Sequence, residues 1–180
     1  MKRLLLAAVL ATIAGPSAAE VKARSADGFT LTYERTVSVG RGDVFLAIES
    51  IDAWWDGAHT YSGSAGNLRL EPFVGGCFCE ALTDGTTFEH GRVTAFDDDH
   101  LRLNAPLGPL NGKAMRADLT FSWPERAYLG DGDETSVILS FVVEGPGLGA
   151  FADPVDRVMQ GQFDRLLRLI ELGSASTEAD

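Results

Sequence analysis

The stretch that opens at Asp153 and closes at Gly173 reads DPVDRVMQGQFDRLLRLIELG. Asp153 is a good helix N-cap, and Pro154 suits the first helical position, where a missing N–H removes no bond. Val155, Val158, Met159, Phe163, Leu166, Leu167, Leu169 and Ile170 then share one wide apolar face. The pattern predicts a helix of about 19 residues, roughly 28 Å long, ending at Gly173. An apolar stripe of that width needs a sheet to cover it.

The residues before it supply the sheet. From Thr30 to Val39, Leu31, Tyr33, Val37 and Val39 alternate with Thr32, Glu34, Thr36 and Ser38, the period of a strand with one buried face. Gly40 ends it. Val44, Phe45, Ile48, Ile51, Trp54 and Trp55 recur at spacings of three and four and predict a helix, followed by a small polar loop from Ala58 to Gly66. Strand-like segments then follow one another: Asn67 to Glu71, Cys77 to Leu82, Thr86 to Phe96, the Leu101 and Leu103 pair, Ala114 to Trp123, and Thr135 to Glu144. Asp84-Gly85, Asp97-Asp98-Asp99 and Gly130-Asp131-Gly132-Asp133 are the turn signals between them. Gly145-Pro146-Gly147-Leu148-Gly149 lacks dinucleotide-binding spacing and reads as a flexible loop. Strand, helix, several strands and a long helix give an α+β fold, with a curved antiparallel β-sheet wrapped around a long C-terminal α-helix.

The chain has 180 residues, room for one domain, and 26 acidic residues against 15 basic ones. So acidic a surface repels phosphate backbones and anionic lipid and argues against a nucleic-acid partner. The first nineteen residues read as a secretory signal: Lys2 and Arg3, the apolar run Leu4 to Ile13, the Gly15-Pro16 break, and Ser17-Ala18-Ala19 before an expected cut ahead of Glu20. The apolar run is too short for a membrane span, which needs about 20 residues. The expectation is therefore a periplasmic or secreted protein with a signal peptide at 1–19, one domain at 20–173 and a flexible tail at 174–180.

Cys77 and Cys79 face the same side of a strand, with Cα atoms roughly 6.6 Å apart. They are open to three readings: packing in an apolar wall, a disulfide, or two thiolate ligands for a metal that needs more donors elsewhere. Phe78 and Glu80 share the other face. Phe78 gains most from burial, so the expected arrangement turns Phe78 and Glu80 inward and leaves the cysteines outward and open to thiol reagents. An inward Glu80 is desolvated, which raises its pKa and suits proton transfer or ligand recognition, unless a partner such as His90 or an arginine satisfies it. His59 and Tyr61, in the loop after Trp54-Trp55, are placed to meet a ligand's polar end at a cavity entrance. His100, beside three aspartates, reads as a solvated turn residue. There is no phosphate-binding Walker loop, metalloprotease His-Glu-x-x-His pair, Gly-x-Ser-x-Gly elbow or EF-hand spacing, and no cofactor is implied.

Several segments resemble one family when taken in order: Asp43-Val44-Phe45 through Ile51, the exit Ala53-Trp54-Trp55, Pro72-Phe73-Val74-Gly75-Gly76, Gly91-Arg92-Val93, Leu101-Arg102-Leu103 and the terminal amphipathic helix. Across nearly all of the chain after the leader, the sequence resembles the START/birch-pollen-allergen-like (SRPBCC) superfamily, and within it the activator-of-heat-shock-ATPase-like branch. The resemblance implies a helix-grip fold with a cavity between sheet and helix. Such cavities commonly hold lipids, polyketides, plant hormones or other apolar molecules, and some members catalyse cyclisations. The chaperone partner that the branch name suggests is cytosolic and does not fit an export signal. The expected function is an exported binding protein for a small apolar or amphipathic ligand, with Trp54, Trp55, His59, Tyr61, Phe78, Glu80, His90 and Phe163 as ligand-binding candidates. The alternatives are a small cyclase or hydrolase using Glu80 with His59 or Tyr61, and a thiol or metal protein using Cys77 and Cys79.

Overall fold

In the computed structural model the described residues are 20–124 and 134–177. The export signal expected at 1–19 and the turn expected at Gly130 to Asp133 lie outside them. Among the described residues one antiparallel sheet is built from β1 (Glu20–Ser25), β2 (Gly28–Val37), β3 (Leu68–Leu70), β4 (Cys77–Ala81), β5 (Thr87–Phe96), β6 (His100–Asn104), β7 (Arg116–Ser122) and β8 (Thr135–Glu144). Their order across the sheet is β1-β2-β8-β7-β6-β5-β4-β3. The strands from β3 to β8 form a meander, and β2 pairs with the last of them, Leu31 opposite Phe141. The sheet is curved and unclosed, with β1 and β3 as its edges.

The connection from β2 to the far edge carries two helices, α1 (Arg41–Glu49) and α2 (Ile51–Trp54). The sequence predicts one helix here. The break falls at Ser50, whose ψ of 51° departs from helical values and whose hydroxyl donates to the Leu46 carbonyl at 2.8 Å. Such a bond competes with the helical ladder and explains the bend. The apolar spacing still does its work: Val44, Ile48, Ile51, Trp54 and Trp55 are all buried.

The long helix, α3 (Ala152–Thr177), packs on β2 and against α1 and α2, which makes the fold an α+β helix grip. It starts before the expected cap, directly out of a 3-10 turn at Leu148–Phe151. Asp153 therefore lies inside the helix and binds Arg24 Nη1 at 2.9 Å. The helix also runs past Gly173 to Thr177, into what the sequence suggests is tail. The glycine-rich stretch ahead of it is packed rather than flexible. Leu148 is buried, and a Cβ on Gly149 would come within 1.8 Å of the Ser25 carbonyl oxygen.

Alternation along the strands turns Leu31 and Tyr33, Leu119 and Phe121, and Leu139 and Phe141 toward the core. From α3, Phe163, Leu166 and Ile170 meet them, as the apolar stripe requires. Phe163 stacks on Tyr33 at 5.7 Å, and the Tyr33 hydroxyl donates to Asp156 Oδ1 at 2.7 Å. Burial and that bond push the Tyr33 phenol pKa up. Each fully buried side chain of this size contributes about 1.5–3 kcal/mol. No helix among the described residues is long and apolar enough to cross a membrane.

Candidate functional site

Toward its N-terminal end α3 stands off from the sheet and leaves a cavity of about 390 Å³. Pro154, Val155, Val158 and Met159 of α3 form one wall, and Phe141 of β8 forms the floor. Phe151 and the β6–β7 connection, through Leu107, Pro109 and Leu110, close the sides. The polar side chains gather at one end: His59, Thr60 and Tyr61 of the loop after α2, and His90 of β5, with Trp55 beside them. Apolar walls with a few convergent polar groups are the usual composition of a small-molecule site.

The rim loop is tied to α3. The Asp56 amide donates to Gln162 Oε1 at 2.8 Å, and the Asp56 carboxylate meets Arg165 Nη2 at 3.1 Å. The same carboxylate accepts from the Ala58 amide, capping the 3-10 turn Gly57–His59. That backbone bond, assisted by Arg165, holds the Asp56 pKa below the ordinary value. Thr60 donates its hydroxyl to the Gly57 carbonyl at 2.8 Å. These ties set where His59, Thr60 and Tyr61 stand at the rim.

Glu80 sits behind this rim with its side chain fully enclosed. Its Oε2 accepts from the Tyr61 amide at 3.0 Å and lies 2.7 Å from His90 Nε2, while Oε1 accepts from the Ser62 amide. Burial alone would raise the pKa, as the sequence reading expects. The bonds from Ser62, Tyr61 and His90 outweigh it and bring the carboxyl down to about 2. The expected upward shift is therefore reversed, and Glu80 is an ionised acceptor rather than an acid. The imidazole of His90 is fixed in turn: Tyr61 stacks on it at 5.6 Å, Phe78 stacks on it at 4.9 Å, and Phe88 meets it edge-on at 5.0 Å.

A bulge in β5 makes this geometry possible. Phe78 pairs with Gly91 and Cys79 with Glu89, so His90 is the extra residue. Both His90 and Gly91 then turn inward, while Arg92 emerges on the outer face. A Cβ on Gly91 would lie 2.7 Å from the Ala105 Cβ and 2.8 Å from the Asn104 carbonyl oxygen, so any residue but glycine would force its neighbours to shift.

On the other face of β4, Cys77 and Cys79 form a disulfide. Their Cα atoms are 5.4 Å apart, less than a flat strand gives, next to the register shift between Phe78 and Cys79. The cysteines do point away from Phe78 and Glu80, but they are buried and joined, not free and open to reagents. Arg69, Glu89 and Arg92 are their cross-strand neighbours on that face and shield them. Glu89 comes within 4.8 Å of both sulfurs, yet disulfide sulfurs are not thiolates and cannot serve as the metal ligands considered from sequence. Asp97, Asp99 and His100 form a second such group, at the surface.

Of the sequence candidates, Trp55, His59, Tyr61 and His90 border the cavity. Trp54, Phe78 and Phe163 do not; they are packed in the core, where Trp54 meets Phe121 and Phe78 meets Trp55 edge-on. Glu80 acts only through His90 and the rim backbone. The sequence reading missed Thr60, Phe141, Phe151 and the connection Leu107 to Leu110. The signal for the last was its two leucines, apolar residues in a glycine- and proline-rich loop.

No family model matches the chain, and no curated protein does. Solved structures share its fold. A protein from Nitrosomonas europaea superposes with a TM-score of 0.55 at 12% identity over 81% of this chain and 96% of that one. One from Rhodobacter sphaeroides gives 0.54 at 15% identity, over 88% and 99%. A conserved protein of unknown function from Enterococcus faecalis gives 0.53 at 13% identity, over 84% and 74%. At these identities the likeness is one of fold alone.

Proposed function

We propose that the protein is an exported binding protein of the START/birch-pollen-allergen-like kind, which holds a small apolar or amphipathic ligand between the sheet and α3. The observation that carries this reading is the cavity of about 390 Å³, apolar along its walls and polar at one end. Its volume falls in the range of small-ligand sites, roughly 300–1,000 Å³. Export is supported by the leader read from sequence and by the Cys77–Cys79 disulfide, a bond that persists in oxidising compartments. A cyclase or hydrolase using Glu80 as acid has less support, because that carboxylate is ionised and every contact it makes is internal.

The test is calorimetric titration with p-cymene, a compact apolar probe. The reading expects saturable binding at one site, abolished by Val158→Trp, which would fill the cavity. Absence of saturable binding to the native protein, or undiminished binding to Val158→Trp, would overturn it.

A further inference from the structure

The polar end of the cavity is asymmetric in the hydrogen-bonding atoms it leaves unengaged. Glu80 receives the Tyr61 amide on Oε2 and the Ser62 amide on Oε1, donors that hold its carboxyl in the ionised, accept-only form, so the proton between Glu80 Oε2 and His90 Nε2 belongs to the imidazole. That assignment fixes the tautomer: in the neutral ring Nε2 carries the hydrogen and Nδ1 carries a lone pair. Nδ1 has no hydrogen-bond partner among the described residues, and the ring's faces are occupied by Tyr61 and Phe78. Since His90 borders the cavity, what the ring has left to offer a ligand is one in-plane acceptor.

We propose that His90 Nδ1 is the polar anchor of the cavity and that it selects apolar molecules bearing a hydroxyl donor, an alcohol or phenol, over the same skeletons without one. The inference rests on the ligand-binding reading of this cavity and adds the class of ligand. It also fits the shape of the site, with the donor-bearing end of the ligand at the His59–Tyr61 rim and its apolar body against Val155, Val158 and Phe141.

Three probes of nearly one shape separate the possibilities: p-cymene, thymol, which is p-cymene with one ring hydroxyl, and thymol methyl ether, which keeps the oxygen but loses the donor. A hydroxyl favours water, so a site with no acceptor prefers p-cymene. The expected result by calorimetry on the native protein is that thymol binds roughly tenfold more tightly than either of the others, the effect of about one good hydrogen bond. In His90→Phe, which keeps a ring for stacking, that preference should fall to within about a factor of two. Equal or tighter binding of p-cymene would overturn the inference while leaving the cavity reading intact. A thymol preference that survives His90→Phe would move the acceptor to another group and overturn it too. Tighter binding of cumate, the carboxylate on a similar skeleton, would mean that the site meets ligands as a donor or cation, against the proposal. If none of the probes binds, the cavity reading fails and this inference fails with it.

Discussion

The two halves of α3 carry the same kind of apolar stripe and do different things with it. Between Gln162 and Ile170 the helix turns Phe163, Leu166, Leu167 and Ile170 to the sheet, and all four are buried. Between Pro154 and Met159 it turns Val155, Val158 and Met159 to a cavity, and the two valines are only half-buried. The difference lies opposite the helix. Tyr33 fills the space against Phe163, whereas Phe141 and Leu110 stand back from Val158 across a gap. A hollow is thus a property of summed side-chain volumes across two or three elements, and no single element announces it.

Truncation should separate the halves most sharply. Phe163→Ala removes a ring from a filled region and is expected to cost about 3–5 kcal/mol in urea unfolding. Val158→Ala removes atoms that already face a void, and its expected cost is below about 1 kcal/mol. Equal losses at the two positions would mean that the helix is packed alike along its length.

The cavity half has polar order where the other half has packing, and acid should expose it. Glu80 has an ordinary pKa of 4.5 when unfolded and about 2 when folded, so the stability it contributes is present above pH 4.5 and lost as the pH falls toward 2. The loss is on the order of 3 kcal/mol for a shift of that size. Unfolding curves at both ends of this range should show a steeper acid loss for the native protein than for Glu80→Gln. Parallel losses would mean that the buried carboxylate contributes nothing through its ionised form.

A smaller effect is expected at the bulge. Gly91→Ala places a methyl group against Ala105 and the Asn104 backbone, and the strain should cost about 1–3 kcal/mol. Because the same bulge aims His90, the variant should also disturb the Tyr61 and Ser62 amides that Glu80 holds, visible as shifted amide resonances. A variant of native stability with unmoved resonances would show that β5 tolerates the methyl and that the bulge is not what orders the rim.

The layers of the fold were legible because they rest on local periodicity. The alternation at Leu31, Tyr33 and Val37, and the stripe from Val155 to Ile170, each report one buried face directly. The break at Ser50 was not, because the apolar spacing runs across it unchanged while a side-chain bond to Leu46 bends the backbone. At the site, the inward turn of Phe78 and Glu80 follows from alternation, and His90 was a natural partner for the carboxylate. The direction of the Glu80 pKa was not readable, since it depends on the amides of Tyr61 and Ser62, residues brought to β4 by a loop with no periodicity. The cysteine pair was open for a related reason: the register shift beside Cys79 depends on which residue of β5 stands opposite, which is a tertiary fact.

The most direct measurement of the central claim is an amide NMR titration of the protein with p-cymene. The account predicts saturating shifts centred on Trp55, His59 to Tyr61, Leu107 to Leu110 and Val155 to Met159, with Phe163 to Ile170 little changed. Shifts that never saturate, or that centre on the packed half of α3, would contradict it.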